Sequence, residues 1–218
     1  MASGDGLGLQ RAAYQIMAGD AMNSFKPAIA AFAFALAACN PQPTGAPAEP
    51  PLAGARIGGP FTLSDGDGKT VTDRDFAGRY RIVYFGYTFC PDVCPVDVQT
   101  IGAGLKAFER RDPAKARAVV PIFITVDPER DTPAVVKAFV ANFHPRMVGL
   151  TGTPQQIAGV AKAYGIFFQK GKVAPGGGYM MDHSRQAYLM GKDGQPIALL
   201  PVEGGAEKVA DELQRWVQ

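Results

Sequence analysis

Tyr80-Arg81-Ile82-Val83-Tyr84-Phe85-Gly86 runs without interruption into Tyr87-Thr88-Phe89-Cys90-Pro91-Asp92-Val93-Cys94-Pro95. The first seven residues are mostly β-branched or aromatic and end in glycine, the pattern of a buried strand. Beyond the second cysteine, Val96, Ile101, Leu105 and Phe108 recur at near-helical spacing. The cysteines therefore sit where a strand feeds a helix. At such a junction the free backbone N–H groups and the positive end of the helix dipole favour a thiolate, lowering a cysteine pKa from about 8.5. Pro95 suits a first helical turn, and Pro91 stiffens the loop between the two sulfurs.

Working outward, Val119 to Val126 reads as the next strand, completing a strand-helix-strand unit of a parallel sheet. Thr132 as cap and Pro133 at the first helical position open a helix with an apolar stripe at Val136, Phe139, Val140 and Phe143. A second short helix begins near Pro154 and carries Ile157, Val160, Ala161 and Tyr164. Ala187–Met190 and Pro196–Leu200 form an antiparallel hairpin, and a helix from Ala206 to Val217 closes the chain. Upstream, Phe61–Leu63 and Thr70–Thr72 flank a turn rich in Asp and Gly and read as another hairpin. This order predicts an α/β, thioredoxin-like fold: a central mixed sheet flanked by helices, with an extra N-terminal β-hairpin.

The 218 residues carry 22 Lys plus Arg against 20 Asp plus Glu, a net charge of +2, which supplies no polybasic face for nucleic acid. No apolar run approaches the roughly 20 residues of an ordinary membrane-spanning helix. The apolar stretch Ala28–Ala38 follows Lys26 and precedes Cys39, which is the order of a signal peptide. Leu36-Ala37-Ala38-Cys39 resembles a bacterial lipobox, so the expected anchor is lipid on Cys39, with an uncleaved helix as the alternative. Met22 would start a signal of ordinary length. Residues 40–56 hold five prolines and few large apolar side chains and read as a tether; the globular domain is expected over 57–218. Export places the remaining pair, Cys90 and Cys94, in an oxidising compartment, the periplasmic side of a bacterial membrane.

Three residues separate Cys90 from Cys94, a spacing that permits a disulfide and also opens both sulfurs toward one ion. Two thiolates leave a soft metal short of ligands. Of the two histidines, His144 follows a helix end and is expected at a solvated position. His183 lies between Gly176-Gly177-Gly178 and the strand at Ala187, where a thioredoxin-like sheet brings a loop beside the cysteine-bearing helix. The set Cys90, Cys94 and His183 suits Cu(I), or Cu(II) with an added ligand. Zn(II) with an open position is the rival.

The stretch Tyr84–Pro95, then Val126-Asp127-Pro128-Glu129-Arg130-Asp131-Thr132, Gly149-Leu150-Thr151-Gly152-Thr153 and Asp182-His183-Ser184 together resemble the Sco/SenC family, from about Ile57 to the C-terminus. The resemblance implies a membrane-tethered copper metallochaperone that serves the dinuclear copper centre of cytochrome c oxidase subunit II. It also implies an upstream copper donor protein and copper ligands at Cys90, Cys94 and His183. The lipobox departs from the transmembrane anchor of many members.

Around this set, Asp182 is a possible second partner of His183 or a turn former, and Met180 and Met181 are soft enough to touch Cu(I), though such residues more often fill gaps in a core. Asp127 and Asp131 flank a tight turn. Phe85, Tyr87 and Phe89 are expected to wall the site. The functional alternative is a thiol-disulfide oxidoreductase reducing an acceptor's cysteines, with the redox-active pair Cys90 and Cys94 and with Cys90 attacking. A peroxiredoxin is disfavoured, because Thr88 is wrongly spaced and no partner arginine can be placed. A structural Cys90–Cys94 disulfide would close too short a loop to stabilise much.

Overall fold

The computed structural model describes residues 49–218; the apolar run, Cys39 and the proline-rich residues up to 48 lie outside the described residues. The chain enters through β1 (Thr62–Asp65) and β2 (Thr70–Thr72), then β3 (Tyr80–Gly86), α1 (Val93–Arg111), the short α2 (Pro113–Ala116) and β4 (Val119–Thr125). There follow α3 (Pro133–Val140), β5 (Val148–Thr151), α4 (Pro154–Ala163), β6 (Phe168–Lys170), β7 (Met181–His183), β8 (Ala187–Met190), β9 (Pro196–Leu199) and α5 (Ala206–Trp216).

Seven strands make one sheet in the order β2-β1-β5-β4-β3-β8-β9. The centre, β3, β4 and β5, is parallel, while β1 joins β5 and β8 joins β3 antiparallel. All seven residues of β3 and of β4 are buried, which is why both read as continuous apolar runs rather than alternating ones. Successive residues feed opposite faces. Ile82 and Tyr84 pack with α1, α3 and α5 residues, whereas Val83 and Phe85 pack with α4 residues such as Ile157 and Val160. This is the expected mixed sheet flanked by helices, with the N-terminal hairpin added at one edge.

Helix starts follow their sequence signals. The Thr132 hydroxyl accepts from the Val135 N–H at 3.4 Å, and Thr153 with Gln156 forms a reciprocal capping box. Three strands escape the sequence reading. Val148–Thr151 is a central strand of only four residues, too short to show a period. β6 and β7 form a separate two-stranded ribbon, each three residues long. The domain also begins earlier than Ile57: residues read as the end of a tether are packed, with the Leu52 N–H donating to the Ile197 carbonyl at 3.0 Å and Leu52 against the core. Among the described residues no helix is long and apolar enough to cross a membrane.

Candidate metal centre

The register of the sheet brings the histidine to the cysteines. Ala187 of β8 lies opposite Tyr84 of β3, so four residues back along this antiparallel partner the chain has passed the end of β3, where the cysteine loop begins. His183 ends β7 at that level. Its Nε2 lies 3.1 Å from the Cys94 sulfur, and the donor atoms of Cys90, Cys94 and His183 all lie within 4.8 Å of one another. Two ligands sharing one ion through bonds of about 2.0–2.3 Å are at most about 4.6 Å apart, so these donors already stand at or near ligand spacing.

Each donor is held by a different device. Cys94 lies in the first turn of α1 and is fully buried, among residues that include Phe85 and Tyr87. Gly86 makes room for it: a Cβ there would fall 3.3 Å from the Cys94 sulfur and 3.0 Å from atoms of both the Tyr84 and Phe123 rings. Cys90 is half-buried, before the helix, and its sulfur accepts the Cys94 N–H at 3.4 Å, so it takes up one of the free donors of the first turn. Both cysteines are free thiols.

His183 Nδ1 stands 2.8 Å from the Ser184 carbonyl oxygen, which can only accept. Nδ1 therefore carries the proton and Nε2 turns its lone pair toward Cys94. The expected orienting role of Asp182 falls to this carbonyl instead, and Asp182 is exposed. The Tyr87 and Tyr84 rings meet the imidazole edge to face, with centroids at 5.9 and 6.4 Å.

The electrostatics separate the sulfurs. Burial pushes the Cys94 thiol well above its ordinary range, with the Cys90 sulfur adding to the effect. For Cys90, burial acts in the same direction but is outweighed by hydrogen bonds from the Cys94 thiol and from the Asp92 and Cys94 backbone, and the net shift is downward. Burial also lowers the His183 pKa, against the Ser184 carbonyl bond that raises it, so the imidazole is neutral and free to donate its lone pair. A cleft of about 420 Å³ opens onto the set, lined by Tyr87, Cys90, Pro91, Phe167, Met180 and His183 among others.

Several sequence expectations need correction. His144 is buried, not solvated: 2% of it is exposed, its Nδ1 accepts the Arg146 N–H at 3.2 Å, and its Nε2 faces the Glu109 carboxylate at 3.4 Å. The turn after the helix folds back over α1 rather than out to water. Phe89 does not wall the site; it is 53% exposed, with the Arg130 guanidinium 4.9 Å from its ring. Phe85 lies in the core beneath, so of the three expected aromatics Tyr87 alone lines the cleft, with Phe167 beside it. Met181 is core, whereas Met180 is exposed at the cleft rim, its sulfur 3.9 Å from the Tyr87 hydroxyl. Asp131, by contrast, does flank a tight turn with Asp127, its N–H donating to the Asp127 carbonyl at 2.9 Å. Its carboxylate accepts from the Thr88 N–H at 2.9 Å and from the Thr88 and Thr125 hydroxyls at 2.6 Å each, fixing the loop that leads to Cys90.

Asp97 and Arg130 give further support to the centre. Asp97, one turn after Cys94, is buried and accepts from the Tyr84 hydroxyl at 2.9 Å and from Arg185. Arg130 donates to Asp127 through Nε at 2.5 Å and to the Tyr179 carbonyl at 3.0 Å, and stacks 3.6 Å from the Tyr179 ring. Helical spacing from Cys94 could have flagged Asp97; nothing in the order of residues pairs Arg130 with Tyr179.

Residues 49–218 match the family model SCO1/SenC. The chain belongs to the SCO1/SenC family. Protein SenC of Rhodobacter capsulatus is 46% identical over 141 residues, covering 63% of this chain and 60% of that protein. The structure of Bradyrhizobium japonicum ScoI with copper bound is 42% identical, with a TM-score of 0.66, covering 73% of this chain and 99% of that one. A third similar structure is reported for a disulfide switch in BsSco, a member of the Sco family of cytochrome c oxidase assembly proteins; it is 26% identical with a TM-score of 0.52, covering 72% of this chain and 90% of that one. The chain spans about half the length of the first curated relatives it matches, 54%, 42% and 55% of three of them.

Proposed function

We propose that this protein binds copper through Cys90, Cys94 and His183 and hands it to an acceptor, the dinuclear copper centre of cytochrome c oxidase subunit II. The observation that carries this is the convergence of two sulfurs and one deprotonated ring nitrogen within 4.8 Å. Two soft thiolates with one imidazole favour Cu(I) over harder ions. The copper bound to the Bradyrhizobium relative and the family membership point the same way.

Copper is cargo in this reading. Uptake from an upstream donor protein begins at Cys90, the more accessible and more acidic sulfur. Closure onto Cys94 releases the thiol proton of that buried residue, and the neutral His183 completes the set. A three-donor site leaves a side of the ion open, so an acceptor's thiolate enters before a donor leaves and the ion is never free. Residues 1–39 act as leader and lipoprotein-type signal, with Cys39 lipidated at the outer face of a bacterial membrane, and residues from 40 to the packed segment at Leu52 act as the tether. Anaerobic copper(I) titration of the full chain tests the reading: one copper per chain is expected, with binding lost on replacing either cysteine and weakened in His183→Ala.

One observation favours a second reading, reduction of the acceptor's disulfide. Cys90 is half-exposed and acidic while Cys94 is buried and held protonated, the division between an attacking and a resolving sulfur. The Cys90 thiolate would displace one acceptor sulfur as thiolate, and Cys94, on losing its proton, would attack Cys90 and release the other. Two electrons pass to the acceptor and a Cys90–Cys94 disulfide remains. Turnover in a disulfide-reduction assay without retained copper would select this reading.

A further inference from the structure

We propose that the ion pair between Arg185 and Asp97 holds His183 at the cysteines, which makes these two the positioning residues of the centre; the proposal rests on the three-donor reading above. Arg185 lies two residues after His183, and Asp97 three residues after Cys94, on the same side of α1. The guanidinium grips both oxygens of the carboxylate, Nη2 to Oδ1 at 2.8 Å and Nε to Oδ2 at 3.1 Å, and Nη1 reaches Glu203 at 3.0 Å. The pair thus closes a ring that runs from Cys94 along the helix to Asp97, across to Arg185, back to His183, and through the 3.1 Å sulfur–nitrogen contact to Cys94.

The ribbon that carries His183 needs such a tie. β6 and β7 bond to each other and not to the seven-stranded sheet. The Ser184 N–H donates to the Phe167 carbonyl, and the Phe167 N–H to the Ser184 hydroxyl, so these bonds close the ribbon on itself. The Ser184 carbonyl sets the tautomer of the neighbouring ring but cannot set where the strand lies relative to α1. Arg130 holds the far end at Tyr179, and pairing to β3 resumes only at Ala187. Arg185 is placed between these two points.

The chemistry makes the tie unusually fixed. The Asp97 side chain is 2% exposed, so its carboxylate depends on partners rather than water. The Tyr84 hydroxyl supplies one bond to Oδ2, and the guanidinium supplies the opposing charge. Swinging the ribbon away would strand that carboxylate. A two-pronged fork also restricts angle as well as distance, which a lysine would not.

The test is copper(I) affinity of the full chain, measured by competition with a chromophoric chelator, for the parent, Arg185→Gln, His183→Ala and the double variant. Thermal unfolding verifies that each is folded. Arg185→Gln is expected to weaken binding about tenfold in the parent, as for partners that orient metal ligands. In the His183→Ala background the same change is expected to cost less than about twofold, because the two act through one donor. Arg185→Lys, folded like the parent, recovers part of the loss. Parental affinity in Arg185→Gln beside a weakened His183→Ala overturns the proposal while leaving the three-donor reading intact. An equal loss in both backgrounds also overturns it, marking Arg185 as merely structural. If His183→Ala binds copper as the parent does, the three-donor reading fails and this proposal with it.

Discussion

The two halves of the metal centre are built differently. The cysteines stand at the end of a strand buried on both faces and at the start of a nineteen-residue helix, so their place follows from the main core. The histidine stands on a ribbon of two three-residue strands outside the main sheet, held by hydrogen bonds, an aromatic stack and two arginines. Apolar packing positions the sulfurs, whereas the nitrogen, anchored in the core through Met181, depends on polar contacts as well. The difference predicts that the two halves break in different ways.

The largest effect should come from the cysteine half. Cys94→Ser keeps the helix start but removes a soft donor, and copper affinity should fall by more than about a hundredfold, beyond what loss of an orienting partner costs. A chelator competition reads this directly. Next comes the histidine half. Arg130→Met leaves the Asp127 carboxylate, 2% exposed, without its cation and releases Tyr179. It should cost about 2–3 kcal/mol, read as a Tm lowered by roughly 4–12 °C. Gly86→Ala then sharpens the contrast, because it strains the cysteine half alone. A Cβ at 3.0 Å from two rings and 3.3 Å from the Cys94 sulfur overpacks the core, at about 1–2 kcal/mol in urea unfolding.

The smallest effect is a control that lies in neither half. Burial holds the His144 pKa below its ordinary 6.5, against the nearby Glu109 charge that raises it. Below pH 6.5 the unfolded chain therefore binds a proton that the folded chain refuses, so stability falls as pH drops through this value. His144→Gln should flatten that decline between neutral pH and about pH 5 and leave copper affinity as in the parent. A decline as steep as the parent's would show that His144 does not titrate in this way.

The same division decides what was legible in the sequence. Tyr80–Gly86, Val119–Thr125 and the capped helices at Thr132 and Thr153 announce themselves, because burial and helix termination leave marks in residue type and spacing. Cys90 and Cys94 inherit their position from those elements. His183 was singled out by the scarcity of histidine and by its place before β8, whereas the ribbon beneath it is too short to show any period. The pairing of its supports was invisible for a related reason: Asp97, which helical spacing from Cys94 could flag, meets an Arg185 that is 88 residues away, and a carbonyl such as that of Ser184 carries no side-chain signal. His144 shows the converse error, since a histidine before a proline at a helix end reads as solvated while the turn in fact folds it inward.

Copper K-edge X-ray absorption on the loaded, reduced full chain tests the centre most directly. Two sulfur scatterers and one imidazole nitrogen are expected in the parent, with the nitrogen signal lost in His183→Ala. A first shell of sulfur alone, or a spectrum that His183→Ala leaves unchanged, would contradict the assignment.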